Sequence, residues 1–161
     1  MIVVSDASPL MNLAIIGQLE ILSSLYDEIV IPQAVYGELA LKGEGMPGSH
    51  QIRSLQWLMV RQVENIPLVT ALRLQLDKGE SEAIALAIEI GADLLLLDER
   101  KARAVARQFN LEFTGLLGIL IEAKGKGLVT AVRPLLDSLK IEAGFWISEP
   151  LYELVLSTVG E

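Results

Sequence analysis

The chain has 161 residues, 52% of them hydrophobic, with 13 Lys and Arg against 21 Asp and Glu for a formal net charge of −8. That length supports one domain, residues 1–161, burying a full core without disulfide staples. The absence of cysteine excludes thiol nucleophiles, zinc thiolate sites and disulfide chemistry, and suits a cytoplasmic setting. The acidic balance excludes a broad basic coat for nucleic acid, but not a nuclease whose acids are gathered to hold a cation.

In chain order, the apolar run Ile2 to Ser5 reads as a buried strand ending at Asp6. Pro9 to Ile16 reads as a helix capped by Ser8 with proline at its first position. Leu19, Leu22 and Leu25 recur at helical spacing before a short strand, Glu28 to Ile31. Pro32 opens a helix carrying Val35, Glu38, Leu39 and Leu41 that stops at Gly43. Gly43 to Ser49, with Gly45, Pro47 and Gly48, is expected to be a mobile loop. A helix over His50 to Gln56 and a β-like run over Leu58 to Val63 follow.

Pro67 to Leu76 is helical again and ends in an Asp77-Lys78-Gly79 turn. Glu80 to Ile90 places Ala83, Ile84, Ala87 and Ile88 on one face, with Gly91 as its stop. Ala92 to Leu97 contains four consecutive leucines, too uniformly apolar for a strand with one wet face, and is therefore central in a parallel sheet. Arg100 to Gln108 is a helix, Leu111 to Thr114 a short strand, and helices cover Leu116 to Lys124, Val129 to Lys140 and Pro150 to Thr158. Alternation of strand and helix predicts a three-layer α/β/α fold with a mostly parallel sheet.

No run approaches the roughly 20 apolar residues that span a bilayer, and Asp6 interrupts the amino-terminal stretch before a signal-peptide core forms. The one histidine, His50, lies in a polar stretch with no nucleophile elbow, which argues against a Ser-His-Asp hydrolase.

The acids carry the chemistry. Asp6 and Asp98 each close a strand, where open parallel sheets place their sites. Glu38 falls near the second turn of the helix after the second strand. Strand carboxyl ends and the starts of following helices share one edge, which places Asp6, Glu38 and Asp98 together. Glu82 is different: its helix precedes a strand, so its start is expected at the opposite edge unless the helix tilts across. Carboxylates drawn together repel. A hard divalent cation removes the conflict, and oxygen ligands without Cys or His select Mg²⁺ or Mn²⁺ over zinc. Such a site acts on phosphate esters.

Against this stand simpler roles. Asp6 is a plausible helix cap, Glu80 suits a helix dipole, Glu99 lies four residues before Arg103, and Arg100, Lys101, Arg103 and Arg107 fit a solvated helix face. Aromatic residues make up only 5% of the chain, so no aromatic-rich stacking platform is expected.

The order Asp6-Ala7-Ser8, Ile31-Pro32 with Glu38, Gly79-Glu80-Ser81-Glu82-Ala83-Ile84, and Leu96-Leu97-Asp98-Glu99-Arg100 resembles the PIN domain, especially a prokaryotic group related to the VapC toxins. Thr114-Gly115-Leu116-Leu117-Gly118-Ile119-Leu120 and Gly144-Phe145-Trp146-Ile147-Ser148 through Leu151-Tyr152 extend the resemblance over nearly the whole chain. It implies a Mg²⁺- or Mn²⁺-dependent endoribonuclease, the toxin of a toxin–antitoxin pair, with Asp6, Glu38, Glu82 and Asp98 as catalytic and metal-holding acids. Ser8 matches a small polar position near the first acid. Glu82 stands where the wider family commonly has aspartate, which leaves the choice between it and Glu80 open, and Glu99 is a second acidic position beside Asp98.

RNA is the expected substrate, and an antitoxin protein and a second copy in a homodimer are the expected partners. Two other classes compete. A phosphatase with an aspartyl nucleophile would need an acid two residues after Asp6, where this chain has Ser8. An interaction or nucleic-acid-binding module with the same fold and little activity would suit the mean hydropathy of +0.45, which points to apolar surface for a partner.

Overall fold

Five strands, β1 (Val3–Ser5), β2 (Ile29–Pro32), β3 (Leu58–Arg61), β4 (Leu94–Leu96) and β5 (Phe113–Thr114), form one sheet in the order β3-β2-β1-β4-β5. Every pairing is parallel, with Val4 opposite Val30, Ser5 opposite Leu96 and Leu96 opposite Thr114. The computed structural model describes residues 1–42, 45 and 49–161. The expectation of a mobile loop over Gly43 to Ser49 falls mostly outside them.

Neighbouring residues along each strand feed opposite cores, the two-residue period of a sheet covered on both faces. Val3, Ile29, Ile31 and Leu96 point to one side, where they meet Leu10 and Leu13 of α1 (Ala7–Ile15), Leu22 of α2 (Glu20–Tyr26) and Ile119 of α8 (Leu116–Gly125). Leu136 and Leu139 of α9 (Arg133–Ile141) and Val155 and Leu156 of α10 (Glu149–Thr158) complete that core. Val4, Leu95 and Leu97 point the other way, against α5 (Ile66–Leu72), α6 (Lys78–Ile90) and α7 (Arg100–Gln108). Each of these aliphatic side chains contributes roughly 1.5–3 kcal/mol when fully buried. The leucine run thus supplies both cores at once.

Several boundaries differ from the sequence expectation, for local reasons. The first helix begins at Ala7 with Asp6 as its N-cap residue, so Ser8 is inside the helix and does not cap it. Pro32 closes β2 and precedes the short helix α3 (Gln33–Tyr36), after which Gly37–Lys42 continues as a π-helix. Asp77 is no turn residue. Its side chain accepts from Glu80 N at 2.8 Å while Glu80 Oε2 accepts from Asp77 N at 3.2 Å. This capping box starts α6 two residues early, at Lys78. The next described helix, α4, covers only Ser49–Arg53.

Chain direction fixes where the site lies. From β1 the chain adds β2 and β3 on one side of the sheet, then crosses to add β4 and β5 on the other. The crevice at such a reversal, outside the strands' carboxyl ends, is where open parallel sheets bind ligands. Asp6 N donates to Leu96 O at 3.0 Å, which fixes the ends of β1 and β4 side by side at that point.

Candidate active site

A cavity of about 560 Å³ opens at this reversal, lined by Asp6, Glu38, Asp77, Glu80, Asp98 and Glu99 with Ser8, Met11, Phe145 and Trp146. Among the described residues, six carboxylates therefore face one space. Asp6 arrives from the end of β1 and Asp98 from just beyond β4. Glu38 comes from the π-helical segment, a distortion frequent at functional sites. Asp77 and Glu80 come from the capped start of α6, and Glu99 is the N-cap residue of α7.

The start of α6 lies at the carboxyl edge of the sheet, contrary to the expectation for a helix that precedes a strand. A helix antiparallel to the strand it leads into must begin where the strands end. The packing there is close: a Cβ on Gly79 would overlap Glu38 Oε1 and lie 3.5 Å from Asp6 Oδ1. Glycine at position 79 lets the two acids share the helix start.

Glu82 is not among the acids of the cavity. Its Oε1 accepts from Ala34 N at 3.1 Å, satisfying an orphan donor in the first turn of α3. It lines another depression with Gln33, Gly37 and Lys78, which shares Glu38 with the acid cavity. A two-residue step along the helix, about 200° of rotation, carries Glu82 off the face that Glu80 presents. The structure thus brings together Asp6, Glu38 and Asp98 of the expected set, adds Glu80, Glu99 and Asp77, and turns Glu82 to a capping contact.

Asp98 is held at both oxygens. Oδ1 accepts from Leu116 N, the first amide of α8, at 2.8 Å, and Oδ2 accepts from Ser8 Oγ at 3.3 Å. Ser8 in turn accepts from Asn12 Nδ2 at 3.1 Å. Arg103 is the nearby cation: its Nε donates to Leu97 O at 2.7 Å and its guanidinium lies over the Phe113 ring, 5.4 Å from the centroid. Of the basic cluster, Arg103 is thus turned inward, while Arg100, Lys101 and Arg107 are exposed.

Electrostatic conflict is concentrated on Asp6. Burial pushes its carboxyl up to about 7, opposed by the Ala7 backbone hydrogen bond and reinforced by the charges of Glu80, Glu38 and Asp77. Burial also raises Asp98, against the Leu116 amide and Arg103, and raises Glu80, with Asp77 adding to it. Three acids poised towards the neutral form in one cleft mark a site whose charge is meant to be compensated by something that binds.

The donor set fits a hard divalent cation. Among the described residues every ionisable group lining the cavity is a carboxylate, with no histidine or cysteine, which suits Mg²⁺ or Mn²⁺. Among the described residues no three acids already stand at metal-holding separation, so a bound ion requires their side chains to draw inward.

Sequence reasoning passed over two contributors. Asp77-x-x-Glu80 is a capping-box signature and would have placed the start of α6 correctly. Phe145 and Trp146, far along the chain, reach the cavity only through the packing of α9 and α10, which no local pattern reports.

A family profile described as a PIN domain matches residues 2–161. The chain belongs to the PIN-domain family, whose members are commonly nucleases and usually use divalent metals, so its coarse class is a hydrolase of the nuclease type. No curated protein shows significant similarity to it. Among the described residues no helix is long and apolar enough to cross a membrane.

Proposed function

We propose that the protein is a Mg²⁺- or Mn²⁺-dependent endoribonuclease that hydrolyses RNA phosphodiester bonds at the acid cavity. The observation that carries this reading is the convergence of Asp6, Glu38, Glu80 and Asp98 at the strand-order reversal of a PIN-domain sheet. Asp6, Asp98 and Glu38 are the acids assigned to hold the ion, with Glu80 completing the set in place of Glu82.

When bound, a divalent ion supplies charge neutralisation at phosphate and an acidified water. The chain's own residues do the rest. Leu116 N and Ser8 Oγ orient the Asp98 carboxylate, so that it meets an incoming cation without a search over rotamers. Glu38 and Glu80 stand half-buried at the cavity wall: Glu38 orients the attacking water and Glu80 takes its proton as the new P–O bond forms and the P–O bond to the departing sugar oxygen breaks, that oxygen then taking a proton from solvent. Arg103 places positive charge beside the scissile strand. Glu82 positions Glu38 indirectly, by capping the helix that leads into it.

The biological setting proposed is the toxin of a toxin–antitoxin pair, working in the cytoplasm as a homodimer. Exposed apolar side chains, among them Ile66, Leu74, Ile141 and Leu154, are the surface offered to an antitoxin or a second copy. The phosphatase alternative is disfavoured because Ser8 stands two residues after Asp6 and is committed to Asp98. Cleavage of single-stranded RNA with Mn²⁺ and its loss in Asp6→Asn and Asp98→Asn tests the enzyme. Growth arrest on expression, relieved by the product of an adjacent small reading frame, tests the toxin.

A further inference from the structure

The nuclease reading leaves unused an aromatic pair at the rim of the acid cavity. Trp146 is 82% exposed and, with Phe145, lines the mouth of the acid cavity, so its ring is open to whatever enters there. Its presentation is fixed by its neighbours. Gly144 takes the left-handed conformation at φ 65°, Phe145 N donates to Leu139 O at 2.9 Å, and Ile147 is buried. Ser148 then caps α10, accepting from Leu151 N at 3.3 Å. With Phe145 packed against the core and Ile147 inside it, Trp146 has no direction left but outward.

A second depression, of about 430 Å³, adjoins the acid cavity and shares Asp98, Phe145 and Trp146 with it. Its character differs: among the described residues the one acid lining it is Asp98, beside Arg103, Gly115 and Gly118. A Cβ at Gly115 would overlap the Arg103 guanidinium and lie 2.6 Å from Asp98 Oδ1, so glycine there keeps the floor low and the cation accessible. One continuous track therefore runs from six carboxylates, past an aromatic edge, to a cationic hollow.

We propose that the Phe145-Trp146 edge is a nucleobase-stacking subsite, on which a base next to the scissile phosphate lies against the Trp146 indole while the strand continues over Arg103. The proposal rests on the nuclease reading of the acid cavity and adds to it that the substrate is single-stranded, because a base must leave its helical stack to lie on the indole. An aromatic face accepts any base, so the subsite binds without strong sequence preference. The charge pattern favours nucleic acid over protein, since a phosphate leaving the acid cavity meets Arg103 next.

The test uses the full chain with Mn²⁺ and decauridylate. Trp146→Ala is expected to raise KM roughly 5- to 150-fold, the range for loss of one stacked base, with kcat within about twofold. Trp146→Phe is expected to restore KM. Decauridylate quenches tryptophan emission in the wild type and not in Trp146→Phe, where Trp57 alone remains. Cleavage with unchanged KM in Trp146→Ala overturns the subsite and leaves the nuclease standing. Quenching without cleavage supports the subsite and removes the nuclease reading; neither quenching nor cleavage removes both. Dissociation of a dimer by Trp146→Ala with KM unchanged assigns the edge to self-association and overturns the proposal.

Discussion

Gly79 sits so close to Glu38 that a Cβ there would overlap the Glu38 Oε1 oxygen and stand 3.2 Å from its Cδ. Glu38 is a flexible side chain, so Gly79→Ala displaces the carboxylate and spares the fold. Alanine in the first turn of α6 even favours the helix, by up to about 1 kcal/mol. The expected outcome is an unchanged or slightly raised Tm with Mn²⁺-dependent cleavage reduced about tenfold or more. Wild-type cleavage by Gly79→Ala would detach Glu38 from the site.

The pH dependence of stability isolates Asp6. Its carboxyl is raised from 3.8 to about 7, so between those values the native chain holds a proton that the unfolded chain has released. Stability from this group is therefore complete below about pH 4 and is lost as pH rises to about 7, in total on the order of 4 kcal/mol. Urea unfolding in EDTA should show wild type falling relative to Asp6→Asn across that window, with the variant more stable at pH 8. A wild type that gains on the variant over the same range would contradict the sign.

Glu80 and Glu82 separate by readout. Glu82→Ala removes the acceptor of Ala34 N and should destabilise by about 1 kcal/mol, lowering Tm by ~2–4 °C, with cleavage within about threefold. Glu80→Gln should reduce cleavage by tenfold or more. Kinetics and thermal melts of both variants check this, and the reverse ranking would return the catalytic role to Glu82.

Ser8 is a positioning residue with a graded expectation. Loss of its hydroxyl frees one oxygen of Asp98 while Leu116 N keeps the other. Ser8→Ala should lower kcat several-fold, move the midpoint of Mn²⁺ activation to higher concentration, and leave Tm nearly unchanged. Ser8→Thr should recover part of the loss. An Mn²⁺ midpoint that does not move would leave Ser8 a helix residue only.

The layers of the fold were legible because their signals are local. The leucine run and the apolar stretch after Met1 could only be strands covered on both faces, and Arg100 to Gln108 was read to the residue. Boundaries failed at helix starts: α1 begins at Ala7 with Asp6 in the N-cap position and no side-chain cap bond, and the Asp77–Glu80 box drew Lys78 and Gly79 into α6. The π-helical turn at Glu38 left no signal in the apolar pattern of the sequence. Asp6 and Asp98 were legible as acids closing strands. Glu80 and Glu82 were not separable, because a two-residue step in a helix changes the face entirely and only tertiary contact says which face meets the cavity. The aromatic rim was invisible for the same reason: at 5% aromatic content, two well-placed rings do not register in composition.

Calorimetric titration of Mn²⁺ into the metal-free protein at pH 7.5, set beside Asp6→Asn and Asp98→Asn, tests the central claim most directly. One or two ions should bind the wild type, with affinity lost at least tenfold in each variant although both remain folded. Equal Mn²⁺ binding by all three proteins would contradict a metal centre built on these two acids.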